Sequence, residues 1–115
     1  MDKVKIFHKG RHIEVHAEKV SVFGKIRGLM FKSSKTNNLL FEFKNENNCA
    51  IHSFFVRFSF LAIWLDSKNI IVDFAVVRPF RFHVQPKKKS RKLIEIPFNE
   101  GNKQIIAFFV GKGKI

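Results

Sequence analysis

Residues 51–66 read Ile51-His52-Ser53-Phe54-Phe55-Val56-Arg57-Phe58-Ser59-Phe60-Leu61-Ala62-Ile63-Trp64-Leu65-Asp66. A polar turn, Ser67-Lys68-Asn69, leads into Ile70-Ile71-Val72-Asp73-Phe74-Ala75-Val76-Val77. β-Branched and aromatic residues concentrated between turn signals are what a mostly buried strand requires. The stretch predicts two strands over residues 51–77, divided at the polar turn. Its centre, residues 60–65, carries no charge. Alternation places Phe60, Ala62 and Trp64 on one face and Leu61, Ile63 and Leu65 on the other. Both faces are apolar, so the strand belongs inside a sheet covered on both sides, with Trp64 as a core anchor. The apolar runs are too short for a membrane span, which takes about 20 residues, and Arg57, Asp66 and Lys68 interrupt them.

Toward the N-terminus, residues 3–8 and 11–20 pattern as a β-hairpin about a two-residue Lys9-Gly10 turn. Pairing His8 with Arg11 sets Ile6 opposite Ile13, Val4 opposite Val15 and Lys5 opposite Glu14. Apolar then meets apolar on one face and opposite charges meet on the other. A three-residue turn would set Lys5 opposite Val15. Ser21 can cap a short helix through Met30, although Gly24 and Gly28 weaken it. Residues 32–38 read as a polar loop. Residues 39–43 read as a strand with Leu39, Phe41 and Phe43 on one face, and residues 44–48 as an Asn-rich turn.

Toward the C-terminus, Phe80-Arg81-Phe82-His83-Val84 alternates and predicts a further strand with its phenylalanines in the core. Residues 85–90 form a basic loop and residues 92–96 a strand. In the tail, propensity makes residues 105–110 a strand. Many short strands and one short helix predict a single mainly β domain over residues 1–115, an antiparallel sandwich or barrel.

Several of these segments resemble a prokaryotic family, domain-of-unknown-function family 192. The resemblance rests on the stretch 51–80, on Gly28-Leu29-Met30-Phe31 after the short helix, on Pro86, and on Leu93-Ile94-Glu95-Ile96-Pro97. It runs from about Ser21 to the C-terminus. It implies a compact β-sandwich of jelly-roll type without an established activity, and a helical turn beginning near Asn99 in place of a strand. Two departures each remove an acid. Ser59-Phe60-Leu61 stands where the family has a Pro-hydrophobic-Asp turn, and Gly111-Lys112 where it has Gly-Asp. A reaction dependent on those acids could not run in this chain.

Length and composition suit one core without staples. Fifteen Phe and no Tyr supply apolar area without polar handles. The single cysteine, Cys49, excludes an internal disulfide and a thiolate metal cluster. With the charged start, it predicts a cytoplasmic protein without a signal peptide. Twenty-two Lys and Arg against nine Asp and Glu give a net charge of +13. That field attracts anions, although lysine enrichment is also a compositional habit of thermophiles.

The densest basic run holds Arg78, Arg81, Lys87, Lys88, Lys89, Arg91 and Lys92 with no acid among them. Such residues neutralise phosphates while nearby aromatic faces stack unpaired bases. This reading makes the chain a non-catalytic binding module, monomeric or homodimeric, for nucleic acid or another polyanion, with no cofactor. A second reading is an enzyme or small-ligand receptor whose pocket is walled by Phe54, Phe58 and Trp64, with polarity from Arg57 or Asp73. A third is a structural, partner-binding role for exposed apolar surface. His8, His12 and His16 recur every four residues, but a hairpin does not stack them as a helix would, so no metal site is predicted. Asp66, Asp73 and Glu95 read as structural acids, and no nucleophile or phosphate-loop motif is present.

Overall fold

The computed structural model describes residues 1–20, 29, 32–48, 50–53, 55–81 and 83–111. The helix expected from Ser21 to Met30, apart from Leu29, lies outside the described residues, as do Phe31, Cys49, Phe54, Phe82 and Lys112.

β1 (Asp2–His8) and β2 (Arg11–Val20) form the expected hairpin. Its register sets His8 opposite Arg11, Ile6 opposite Ile13, Val4 opposite Val15 and Lys5 opposite Glu14, as side-chain matching predicts. Lys9 and Gly10 take φ of 49° and 77°. Two positive φ values in a two-residue loop match the right-handed twist of the strands it joins.

β3 (Leu39–Asn47), β4 (Phe60–Leu65), β5 (Ile71–Val77) and β6 (Ser90–Pro97) follow, then a 3₁₀ turn (Glu100–Asn102) and helix α1 (Lys103–Val110). The strands form one six-stranded sheet in the order β1-β2-β3-β6-β4-β5. β2 and β3 run parallel, so the sheet is mixed where an antiparallel one was expected. The long connection between them, residues 21–38, exceeds the dozen or so residues that a parallel crossover needs. The sheet curls into a half-barrel. Phe7 N–H donates to Asn69 C=O at 3.0 Å, and Phe7 bridges Ile70, which draws β1 toward the β5 edge.

All six residues of β4 are buried, and the strand lies between β5 and β6. On one face Phe60, Ala62 and Trp64 pack with Leu39, Phe41, Phe43 and Leu93, beneath Leu29, Ile51 and Val56. On the other, Leu61, Ile63 and Leu65 pack with Ile6, Val15, Leu40, Ile94 and Ile96, against Ile105 and Phe109 of α1.

Four expected elements differ. Residues 51–53 and 55–58 are not strand; Ile51 makes one isolated bridge to Val84. Residues 80, 81, 83 and 84 form no strand either, because the chain at Phe80 and Arg81 turns back onto Ser53 rather than pairing along a ladder. β3 continues to Asn47 through a register shift after Glu42, where a turn was expected. Residues 105–110 are helical, not the strand that propensity gives; the helical turn near Asn99 that the family resemblance implies is the one present. Asn99 accepts from Asn102 N–H at 3.0 Å and starts the turn. Helical spacing then lays Ile105 and Phe109 on the sheet and buries Ile106, and that burial outweighs local β propensity. Further along the same helix, Phe108 receives the Arg11 guanidinium at 4.6 Å from its ring centre.

Trp64 has no exposed surface. Trp64→Ala is expected to cost about 3–5 kcal/mol of unfolding free energy, measured by urea denaturation. The wild-type emission should be blue-shifted and resist iodide quenching.

Candidate polyanion-binding site

The site is organised by a buried serine. Ser53 is fully buried, and its hydroxyl donates to Arg78 C=O and accepts from Arg81 N–H, both at 2.6 Å. Its N–H donates to Arg81 C=O at 2.9 Å. Its C=O accepts from Phe80 N–H at 2.9 Å and from Val56 N–H at 3.1 Å. One short side chain thus ties the loop before β4 to the turn after β5.

The tie holds two phenylalanines outward. Phe55 and Phe80 are 52% and 56% exposed, at φ of 57° and 61°. A positive φ crowds the Cβ of a bulky residue, so each position carries backbone strain that the surrounding hydrogen bonds must hold. Phe80 was expected in the core. It is exposed because the turn it occupies satisfies its own backbone on Ser53 and directs the ring away from the sheet.

Arg57, Arg78 and Arg81 are exposed around this pair. Beside them Arg78 and Arg81 border a cleft of about 630 Å³ that Ser59, Val76, Phe98 and Val110 complete. Its lining joins two guanidinium groups to the apolar side chains of Val76, Phe98 and Val110, which suits a ligand that is both anionic and flat. Lys87, Lys88 and Lys89 are exposed on the following loop. Lys87 N–H donates to Asp73 Oδ2 at 2.8 Å and pins the start of that run to β5. The last two basic residues turn inward: Arg91 Nε donates to Phe43 C=O, and Lys92 Nζ to Asn69 Oδ1 at 2.8 Å. Five of the seven basic side chains therefore remain exposed, while Arg91 and Lys92 are half-buried.

Of the residues of the pocket reading, Arg57, Phe58, Trp64 and Asp73 are described. Trp64 is wholly buried and offers a ligand no surface, which corrects its place in a pocket wall. Arg57 is exposed on the loop before β4. Asp73 sits opposite Trp64 in the ladder, and its two carboxylate oxygens accept from the Phe74 and Lys87 amides. Phe54 lies outside the described residues.

The other chemistry-bearing residues are dispersed. Asp66 Oδ1 accepts from the Lys68 and Ile70 amides and so shapes the β4–β5 turn. His8 packs against the rings of Phe74 and Phe109, and His12 against Phe7. Among the described residues no group of three or more His, Cys, Asp or Glu could hold a metal ion. Glu95 is buried between Leu39 of β3 and Ala62 of β4, and its Oε1 has no hydrogen-bond partner among the described residues. That burial pushes its carboxyl up to about 8.

Three asparagines form a second polar cluster that composition did not reveal. Asn102 Nδ2 donates to Asn38 Oδ1 at 2.9 Å and to Pro97 C=O at 2.8 Å, and Asn38 Nδ2 donates to His16 C=O at 2.9 Å. Asn99 Nδ2 donates to Ser34 C=O at 2.6 Å. These contacts lock the loop before β3 against the 3₁₀ turn and border an open cleft of about 770 Å³. Their amides are committed to structure. The sequence likewise gave no sign of Ser53 as a tie or of Phe80 as exposed. The one available signal was that Phe80 lies between two arginines beside Pro79, a turn-favouring residue.

No family model matches the chain. A UPF0127 protein of Pyrococcus furiosus is 33% identical over 92 residues, covering 77% of this chain and 78% of that protein. The chain belongs to the UPF0127 family. A UPF0127 protein of Thermococcus gammatolerans is 40% identical over 92 residues, covering 77% of this chain and 60% of that one. Against two further Thermococcus members this UPF0127 chain spans about half their length, 49% and 47%. The family name assigns its members no activity. Two crystal structures share the fold. One is a protein of unknown function from Novosphingobium aromaticivorans, at a TM-score of 0.73 and 11% identity, covering 90% of this chain and 76% of that one. The other is a proposed transcription regulator from Sinorhizobium meliloti, at 0.72 and 14%, covering 88% and 81%. No described helix is long and apolar enough to cross a membrane.

Two expectations follow from this geometry. Ser53→Ala removes two hydrogen bonds and leaves Arg81 N–H without its acceptor, so it should cost on the order of 2 kcal/mol in urea unfolding. Glu95 gives a pH dependence. Its folded-state value lies above the ordinary 4.5, so the folded chain holds the proton more tightly than the unfolded chain. Stability is therefore full below about 4.5 and falls as pH rises toward about 8. Glu95→Gln should remove that decline when thermal unfolding is followed across the same window.

Proposed function

We propose that this chain is a small, non-catalytic module that binds nucleic acid or another polyanion in the cytoplasm. The observation that carries the reading is the turn held by Ser53, where exposed Arg78 and Arg81 stand on either side of exposed Phe80 in the chain. Net charge alone would not carry it, because thermophile composition also raises lysine content. A strained, outward phenylalanine between two exposed arginines has no comparable compositional cause. Kinship with domain-of-unknown-function family 192 and its jelly-roll arrangement is part of the same reading. It is supported by Pro86, buried beside the lysine run, and by the Leu93-Ile94-Glu95-Ile96-Pro97 strand. The Sinorhizobium protein's description as a proposed transcription regulator is compatible with it, but at 14% identity the likeness speaks for the fold alone.

The exposed contributors are Arg78, Arg81, Lys87, Lys88 and Lys89. Five phosphate contacts with a single strand should give a log–log salt slope of about −3.5. Heparin chromatography and fluorescence anisotropy with labelled oligonucleotides measure this. Replacing Lys87, Lys88 and Lys89 together by Glu should weaken binding and flatten the slope, with an unchanged melting temperature. A salt-independent interaction, or no retention on heparin at low salt, would sink the proposal.

A further inference from the structure

We infer that the 78–81 turn and its adjoining cleft bind the unpaired bases of a single-stranded nucleic acid, with Phe80 as a stacking platform. The inference rests on the polyanion reading and names the class of polymer and the residues that recognise it.

Three observations combine. The Phe80 ring is exposed and its backbone is fixed by the Ser53 carbonyl, so the platform is set before any ligand arrives. A pre-set aromatic face stacks on a base without the entropy of ordering a loop, and every base offers such a face. Arg78 and Arg81 stand on either side of that ring in the chain and also border the cleft. They can hold consecutive phosphates while one base lies on Phe80 and the next enters the cleft. The cleft's apolar residues, Val76, Phe98 and Val110, match a base, and about 630 Å³ falls within the range of small-ligand sites. Phe55, two residues beyond Ser53 in the chain, is also exposed.

A duplex does not fit this arrangement, because paired bases present edges and phosphates rather than free faces. Neither does a heparin-like chain, which has charge but no aromatic planes. An anionic membrane would use the exposed rings as wedges, yet it would leave the recessed cleft unfilled.

The test uses the full chain and two substitutions at one position. Asparagine tolerates a positive φ, so Phe80→Asn should fold while losing the ring. Phe80→Trp places a reporter there, against a buried Trp64 background. Phe80→Asn should weaken binding of a short oligothymidylate roughly ten-fold, with heparin affinity and salt slope unchanged. The Phe80→Trp emission should be quenched as the same oligonucleotide saturates. Equal oligothymidylate affinity for wild type and Phe80→Asn, or an emission that saturation leaves unchanged, overturns the inference and leaves the polyanion reading standing. So does a duplex of equal length that binds as tightly as the single strand. A blue shift with phosphatidylserine vesicles but no response to oligonucleotide overturns it in favour of a lipid surface. If wild type binds neither heparin nor oligonucleotide, the polyanion reading fails and takes this inference with it.

Discussion

The structure depends on covering both faces of β4. Its six side chains are all buried and all apolar. Leaving either face open would return several large side chains to water, at roughly 1.5–3 kcal/mol each. One face is closed by Leu29, Ile51 and Val56, the other by the β1–β2 hairpin and α1. The curl of the sheet and the helical fold of residues 103–110 serve the same end. Each brings apolar surface over a central strand that has none to spare for solvent.

That requirement explains the loop that precedes β4. Ile51 and Val56 must turn inward over Phe60 and Trp64, so the chain between them cannot run as a flat strand. Ser53 lies at the pivot. Its hydroxyl is short enough to bond two backbone groups of the 78–81 turn and replaces ladder bonds that the irregular path gives up. The consequence is functional geometry, since inward Ile51 and Val56 go with outward Phe55, and the opposing turn projects Phe80.

Charge is sorted by the same packing. Arg91 and Lys92 begin β6, a strand paired on both sides, so their side chains are drawn to nearby acceptors on Phe43 and Asn69. Lys87, Lys88 and Lys89 precede the strand and remain in solvent. Glu95 is the opposite case. It sits in the middle of β6 between Leu39 and Ala62, where it is buried. Burial therefore favours its neutral form.

Where the signal is local, the chain's own pattern determined the outcome. The hairpin register followed from matching Ile6 with Ile13 and Lys5 with Glu14, because a one-residue slip would invert every side chain. The interior position of β4 followed from two apolar faces in one short run, and the β3 faces from the alternation of Leu39, Phe41 and Phe43. Kinship with the UPF0127 members is likewise written in sequence. Tertiary structure alone decided the rest. Residues 105–110 have β propensity but became helix, because helical spacing lays Ile105 and Phe109 on the sheet together while burying Ile106. Phe80 alternates like a core residue but became surface, because its backbone partner is Ser53, 27 positions away. A basic run of seven residues became five available cations. Each of these depends on a partner distant in the chain, and periodicity records what a residue could bury without recording what will be there to cover it.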